Sequence, residues 1–131
     1  MIASSPGPRL LLDTHVFIWW REESPRLAPD VLEEIGAAQE VFVSIVTAWE
    51  VAIKVGSGRL TVPGPVGPAV IDSGFIPLPI TFEHAQRVAT LPRHHGDPFD
   101  RMLAAQAMHE GLTLVTHDRS FAPYAMPVRW A

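Results

Sequence analysis

Two kinds of hydrophobic run alternate along the chain. Short runs that are apolar at every position suit strands covered on both faces, and longer stretches with apolar residues every three or four positions suit helices packed on one side. Arg9 to Asp13 carries Leu10-Leu11-Leu12 and stops on an acid, which predicts a first strand. A short apolar helix over His15 to Arg21 follows, then a second helix from about Pro29 to Ala38, with Pro29 suited to its first turn. The β-branched run Val41 to Ile45 predicts a second strand, and a helix from Val46 or Thr47 to Val55 ends at Gly56-Ser57-Gly58. Thr61 to Gly74 is rich in Pro and Gly and reads as a connection with at most one short helix. Phe75 to Ile80 is a third strand candidate whose Pro77 and Pro79 confine it to a sheet edge. Thr81 caps a helix to about Leu91, Asp97-Pro98 opens another from Pro98 to Glu110, and Gly111 stops it. Leu112 to Thr116 predicts a strand, Ser120 and Phe121 a short turn, and Met126 to Trp130 a last strand. Strands alternating with helices imply an α/β domain: a mostly parallel sheet of four to five strands with helices on both faces.

At 131 residues the chain suits one domain, at a prior of ~150 residues each. Residues 1–8, with Ser4, Ser5, Pro6, Gly7 and Pro8, read as a flexible tail, and residues 9–131 as the domain. The tail lacks the basic start and apolar middle of a signal peptide, and no apolar stretch approaches the ~20 residues of a membrane helix. The sequence contains no cysteine, which removes disulfides, thiolate metal sites and cysteine nucleophiles and suits a reducing cytoplasm. The net charge of −4 excludes a broad basic surface for nucleic acid, but divalent cations in an acidic cleft would reverse the local sign.

Such a cleft is expected. In an open parallel sheet the reactive crevice lies beyond the carboxyl ends of the strands, where Asp13 and Asp118 both fall. Glu50 lies near the start of the helix after strand two, and Asp97 and Asp100 share the first turn of theirs. Taken singly, Asp97 reads as an N-cap, Asp100 as a favoured first-turn acid, Asp118 as a turn former and Glu50 as a solvated helix residue. Asp13, set between Leu10-Leu11-Leu12 and Val16-Phe17-Ile18, is harder to explain: partial burial there is costly unless the acid is paired or metal-bound. Crowded carboxylates call for a cation, and a set of hard oxygen donors suits Mg²⁺ or Mn²⁺. The six histidines show no zinc-type HExxH spacing, and His94-His95 reads as a solvated loop pair.

The segments Leu11-Leu12-Asp13-Thr14-His15, Ala48-Trp49-Glu50, His95-Gly96-Asp97-Pro98-Phe99-Asp100-Arg101 and Leu114-Val115-Thr116-His117-Asp118 resemble, in that order, PIN-domain proteins of the VapC toxin type. The resemblance implies a three-layer α/β/α fold, a Mg²⁺- or Mn²⁺-dependent endoribonuclease, a homodimer, and a cognate antitoxin as partner. It sets the family's acidic quartet on Asp13, Glu50, Asp100 and Asp118, with Asp97 an extra acid that either joins the metal site or caps its helix. Thr116, and more weakly Thr14, match hydroxyl residues expected at the substrate. Arg101 and Arg119, each beside an acid, are candidate phosphate contacts. Trp19, Trp20 and Phe17 exceed what a small core readily encloses, so part of that surface is a candidate for the antitoxin or a second subunit, with core packing an equal alternative for Phe17.

Rival readings fit less well. A phospho-acceptor receiver domain wants an adjacent acidic pair and a late lysine at a strand end, but the sole lysine is Lys54, in a helix. An aspartate-nucleophile phosphatase wants Asp-x-Asp, but Asp13 is followed by Thr14 and His15. A catalytically silent PIN-like protein-binding module should show a broken carboxylate set, and all four acids are present.

Overall fold

The computed structural model describes residues 7–92 and 96–131, so most of the expected tail, together with His94 and His95, lies outside the described residues. Five strands, β1 (Arg9–Leu12), β2 (Glu40–Ser44), β3 (Ile76–Leu78), β4 (Thr113–Thr116) and β5 (Val128–Trp130), form one sheet in the order β3-β2-β1-β4-β5. Every neighbouring pair is parallel. The helices are α1 (Thr14–Glu22), α2 (Pro29–Ala37), α3 (Ile45–Gly56), α4 (Val66–Asp72), α5 (Phe82–Thr90) and α6 (Pro98–Glu110), with a short 3₁₀ turn at Arg119–Phe121. No helix among the described residues is long and apolar enough to cross a membrane.

The three leucines of β1 show how the layers arise. Successive strand residues point to opposite faces, and accordingly Leu11 belongs to one hydrophobic cluster while Leu10 and Leu12 belong to the other. Leu11, Phe42 and Leu114 pack on Leu103, Ala104 and Ala107 of α6. On the other face, Leu10, Leu12, Val43 and Val115 meet Val16 and Phe17 of α1, Val31 and Ile35 of α2 and Val70 of α4. Strands covered twice have no polar face to show, which is why their sequences run apolar at every position.

From β1 the chain steps outward through β2 to β3, then returns past β1 to place β4 and β5 on the other side. The order therefore reverses between β1 and β4, and a crevice opens beyond their carboxyl ends. Asp13 and Asp118 flank that point.

The differences from the expected boundaries have local causes. Ile45 is helical rather than strand, because the Ser44 side chain accepts the Val46 N–H at 3.0 Å and caps α3 one residue early. The Pro/Gly-rich connection holds one helix, α4, with Pro68 in its first turn, where a proline costs no hydrogen bond. The edge position of β3 is as expected, with Pro77 opposite Val43. β5 is shorter than the predicted run and begins after Pro127.

Candidate active site at the sheet switch point

Asp13 leaves β1 and caps α1: its Oδ1 accepts the Val16 N–H at 2.8 Å. Its Oδ2 accepts a short hydrogen bond from the Thr116 hydroxyl at the end of β4. The side chain is 5% exposed, and it forms no ion pair among the described residues. Burial pushes its carboxyl above the ordinary carboxylate range. The hydrogen bonds from Thr116 and Val16 and the charge of His15 oppose the rise, and the negative Asp118 adds to it.

Thr116 is the joint between the first and last acids. Wholly buried, its Oγ1 donates to Asp13 and accepts the backbone N–H of Asp118 at 3.0 Å. Asp118 itself is exposed and caps the 3₁₀ turn, its Oδ1 accepting the Ser120 N–H at 2.9 Å and the Ser120 hydroxyl at 2.6 Å.

Glu50 reaches the same place from α3. Only 4% exposed, it is not the solvated helix residue of the bland reading. Its Oε1 accepts the Thr14 hydroxyl at 2.7 Å and its Oε2 the Lys54 ammonium at 2.6 Å. Thr47, one helical turn before Glu50 on the buried side of α3, lies 3.1 Å from Thr14 through its hydroxyl. With the Thr14 proton directed to Glu50, Thr47 is the donor of that pair. A continuous line of polar contacts and adjacent residues thus runs Asp118, Thr116, Asp13, Thr14, Glu50, Lys54.

The start of α6 completes the surroundings. Asp97 caps the helix, its Oδ1 accepting the Phe99 N–H at 2.8 Å and the Asp100 N–H at 3.3 Å, so the capping reading describes at least this oxygen. Asp100 is half-buried in the first turn, beside Phe99, whose ring meets Trp49 edge-on at 5.1 Å. Because Trp49 precedes Glu50 and Phe99 precedes Asp100, this aromatic pair ties together the segments that carry the two acids.

The fold gives several of the candidate residues other contacts. Thr14 and Thr116 are buried and brace the carboxylates of Glu50 and Asp13. Arg101 donates to the carbonyls of Val88, Leu91 and Pro92 and to the Tyr124 hydroxyl, which makes it a cap for the end of α5 rather than a phosphate contact. Phe17 is core, and Trp19 and Trp20 pack half-buried beside it. Arg119 sits 4.4 Å over the Trp130 ring, a cation–π contact. The sequence reading missed Thr47 and Lys54; the usable signal was the only lysine placed four residues after a candidate acid.

A buried acid with no ion pair among the described residues, a second acid raising it further, and an all-oxygen donor set fit a hard divalent ion at Asp13 and Asp118, with Glu50 linked to them through Thr14. Among the described residues, the three potential ligands whose donor atoms lie within 4.8 Å of one another are His84, His109 and Glu110 rather than the switch-point acids. Their hydrogen bonding serves another purpose. The Thr81 N–H donates to His84 Nδ1 at 3.1 Å, so the ring proton is on Nε2 and is donated to Glu110 Oε1 at 2.8 Å. Both nitrogens of His84 are committed to the cap of α5 and its tie to α6.

A family model described as the PIN domain matches residues 10–126. Ribonuclease VapC22 of Mycobacterium tuberculosis (strain ATCC 25618 / H37Rv) is 31% identical over 121 residues, which cover 90% of this chain and 93% of that protein. Among solved structures, VapBC2 from Rickettsia felis, bound to a DNA fragment from their promoter, matches with a TM-score of 0.68 at 15% identity, covering 92% of this chain and 96% of that one. DNA-bound VapBC from Salmonella typhimurium matches at 0.66 and 22% identity, covering 93% and 97%. VapBC-5 from Mycobacterium tuberculosis, described as a member of the VapBC family of toxin–antitoxin systems, matches at 0.57 and 26% identity, covering 94% and 98%. The sheet order, the carboxylates gathered at its switch point and a family match over nearly the whole domain agree: this chain belongs to the PIN-domain family.

Proposed function

We propose that the chain is a Mg²⁺- or Mn²⁺-dependent endoribonuclease that hydrolyses RNA phosphodiester bonds in the cytoplasm and is the toxin of a toxin–antitoxin pair. The observation that carries this is the Asp13–Thr116–Asp118 bridge across the switch point: a buried carboxylate whose proton affinity is raised by burial, held beside a second acid. Asp13, Asp118, Glu50 and Asp100 are the residues that would hold the metal, with Asp97, which caps α6, as a further candidate. Bound there, a divalent ion supplies an activated water and offsets charge on the scissile phosphate. The chain's own part is to keep the carboxylates fixed: Val16 N–H and Thr116 orient Asp13, Ser120 orients Asp118, and Thr14 and Lys54 orient Glu50. A whole carboxylate set separates this chain from a silent binding module.

Partner surfaces support the same reading. Ile45, Trp49 and Ile53 form one outward stripe along α3, Trp49 being 58% exposed, and they suit a homodimer contact. A groove of about 500 Å³ lies between α1 and the connection from α3 to α4, lined by Phe17, Ile18, Val51, Val62, Pro65 and Val66. Its apolar walls suit an antitoxin segment, as expected of a relative of VapBC toxin–antitoxin proteins. Incubating the purified chain with labelled RNA in Mg²⁺, Mn²⁺ or EDTA, beside Asp13→Asn, tests the activity. Metal-dependent cutting lost in the variant is expected; equal cutting by both proteins contradicts the proposal.

A further inference from the structure

Among the described residues Glu50 differs from Asp13 in having a full positive charge against its carboxylate. Lys54 lies one turn along α3, its ammonium 2.6 Å from Oε2, and the Thr14 hydroxyl takes Oε1 at 2.7 Å. The carboxylate is nearly inaccessible, while the Lys54 side chain keeps about a quarter of its exposure, at 28%. A solvated i,i+4 pair on a helix surface adds only a few tenths of a kcal/mol. A pair whose acid is buried is different, because removing the cation strands a desolvated charge. It is the sole lysine of the sequence, and it neutralises one candidate metal ligand while Asp13 has no ion pair among the described residues.

We propose that Lys54 is a positioning residue that acts as the resident counter-ion of Glu50, stabilising the metal-free site and competing with the divalent cation for that carboxylate. This rests on the reading of the switch-point acids as a metal site. The consequence is a pair of opposite effects. Without Lys54 the metal-free protein carries one more uncompensated buried charge and melts at a lower temperature. The same vacancy lets a divalent cation meet a more negative site, and it binds more tightly, on the order of fivefold to tenfold by the Coulomb interaction of an ammonium with a doubly charged ion across a partly solvated gap. Lys54 thereby trades cation affinity for a site that is stable and ordered before any ion arrives.

The test uses the full chain, with Mn²⁺ alone as the probe. Thermal midpoints are measured with and without Mn²⁺, and Mn²⁺ dissociation constants by calorimetry, for the wild type, Lys54→Met, Lys54→Arg and the Glu50→Gln and Glu50→Gln/Lys54→Met pair. Lys54→Met should melt lower than wild type in EDTA, gain more from Mn²⁺ and bind it more tightly, while Lys54→Arg stays within about twofold of wild type. In the Glu50→Gln background the Lys54 substitution should lose most of its effect. A merely structural lysine would lower both midpoints equally and leave Mn²⁺ affinity unchanged, and that result overturns the inference, as does weaker Mn²⁺ binding. If Lys54→Met does not fold in EDTA, Lys54→Gln carries the same comparison. A wild type blind to Mn²⁺ overturns the metal reading together with this inference; a responsive wild type with an indifferent Lys54→Met overturns the inference alone.

Discussion

The carboxyl edge of the sheet and the edge where β1 and β2 begin both carry acids, but they dispose of them differently. At the starting edge each acid meets a base or a ring N–H: Glu40 pairs with Arg9 at 3.0 Å, and Glu110 takes the His84 proton while its backbone carbonyl accepts from Arg9. At the carboxyl edge the hydrogen-bond donors to Asp13 among the described residues are a hydroxyl and an amide, its burial raises its proton affinity, and Asp118 raises it further. The two regions also show that ligand spacing is a poor guide taken alone. His84, His109 and Glu110 stand close enough for a metal, yet the Thr81 N–H on His84 Nδ1 leaves no free lone pair on that ring. A buried acid with no ion pair among the described residues, not ligand proximity, marks the site.

The largest effect expected on this comparison is from Asp13→Asn, which should lower metal-dependent RNA cleavage by about 10³-fold or more, measured as single-turnover rate. The same variant should be more stable than wild type without metal. The folded chain holds the Asp13 proton to a higher pH than the unfolded chain, so native stability falls as pH climbs from the ordinary carboxylate value through the raised one. Asn still caps α1 but has no such slope. Thermal midpoints in EDTA across that range check the sign: wild type and variant should converge in acid and separate as Asp13 ionises, and a wild type that gains on the variant with rising pH would contradict the account.

Thr116→Val removes the brace without touching a charge and should cost roughly 10–100-fold in metal affinity or activity; an unchanged Mn²⁺ dissociation constant would remove Thr116 from the site. At the other edge the same chemistry should affect folding alone. His84→Ala opens a buried space and leaves the α5 cap and Glu110 without their partner, destabilising the fold by about 2 kcal/mol or more in denaturant melts, with cleavage per folded molecule unchanged. Arg9→Ala, which breaks a half-exposed pair, should cost about 1 kcal/mol or less by the same melts.

Much of this molecule is legible in its sequence because burial on both faces of a parallel sheet writes uninterrupted apolar runs such as Leu10-Leu11-Leu12, and because Asp97-Pro98 and Gly111 mark the ends of α6 with local chemistry. Boundaries fail where two local signals compete: Ile45 has a strand former's side chain, but the Ser44 cap makes it helical. Within the site, Asp13 can be singled out because an acid amid leucines requires a reason. Its brace cannot be assigned in the same way, since a threonine's direction depends on the pairing of β1 with β4, more than a hundred residues apart. Arg101 beside Asp100 suggests a phosphate contact until the fold turns it under α5. Lys54 looks like an ordinary helix-surface partner because sequence spacing shows the pairing with Glu50 but not the burial that gives the pairing its weight.

The central claim is that the acids at the switch point, and not the histidine cluster at the opposite edge, take up divalent cations. Calorimetric titration with Mn²⁺ of wild type, Asp13→Asn and His109→Ala tests it directly. The account predicts saturable binding in the wild type, its loss in Asp13→Asn and its survival in His109→Ala; binding that survives Asp13→Asn and disappears in His109→Ala would contradict it.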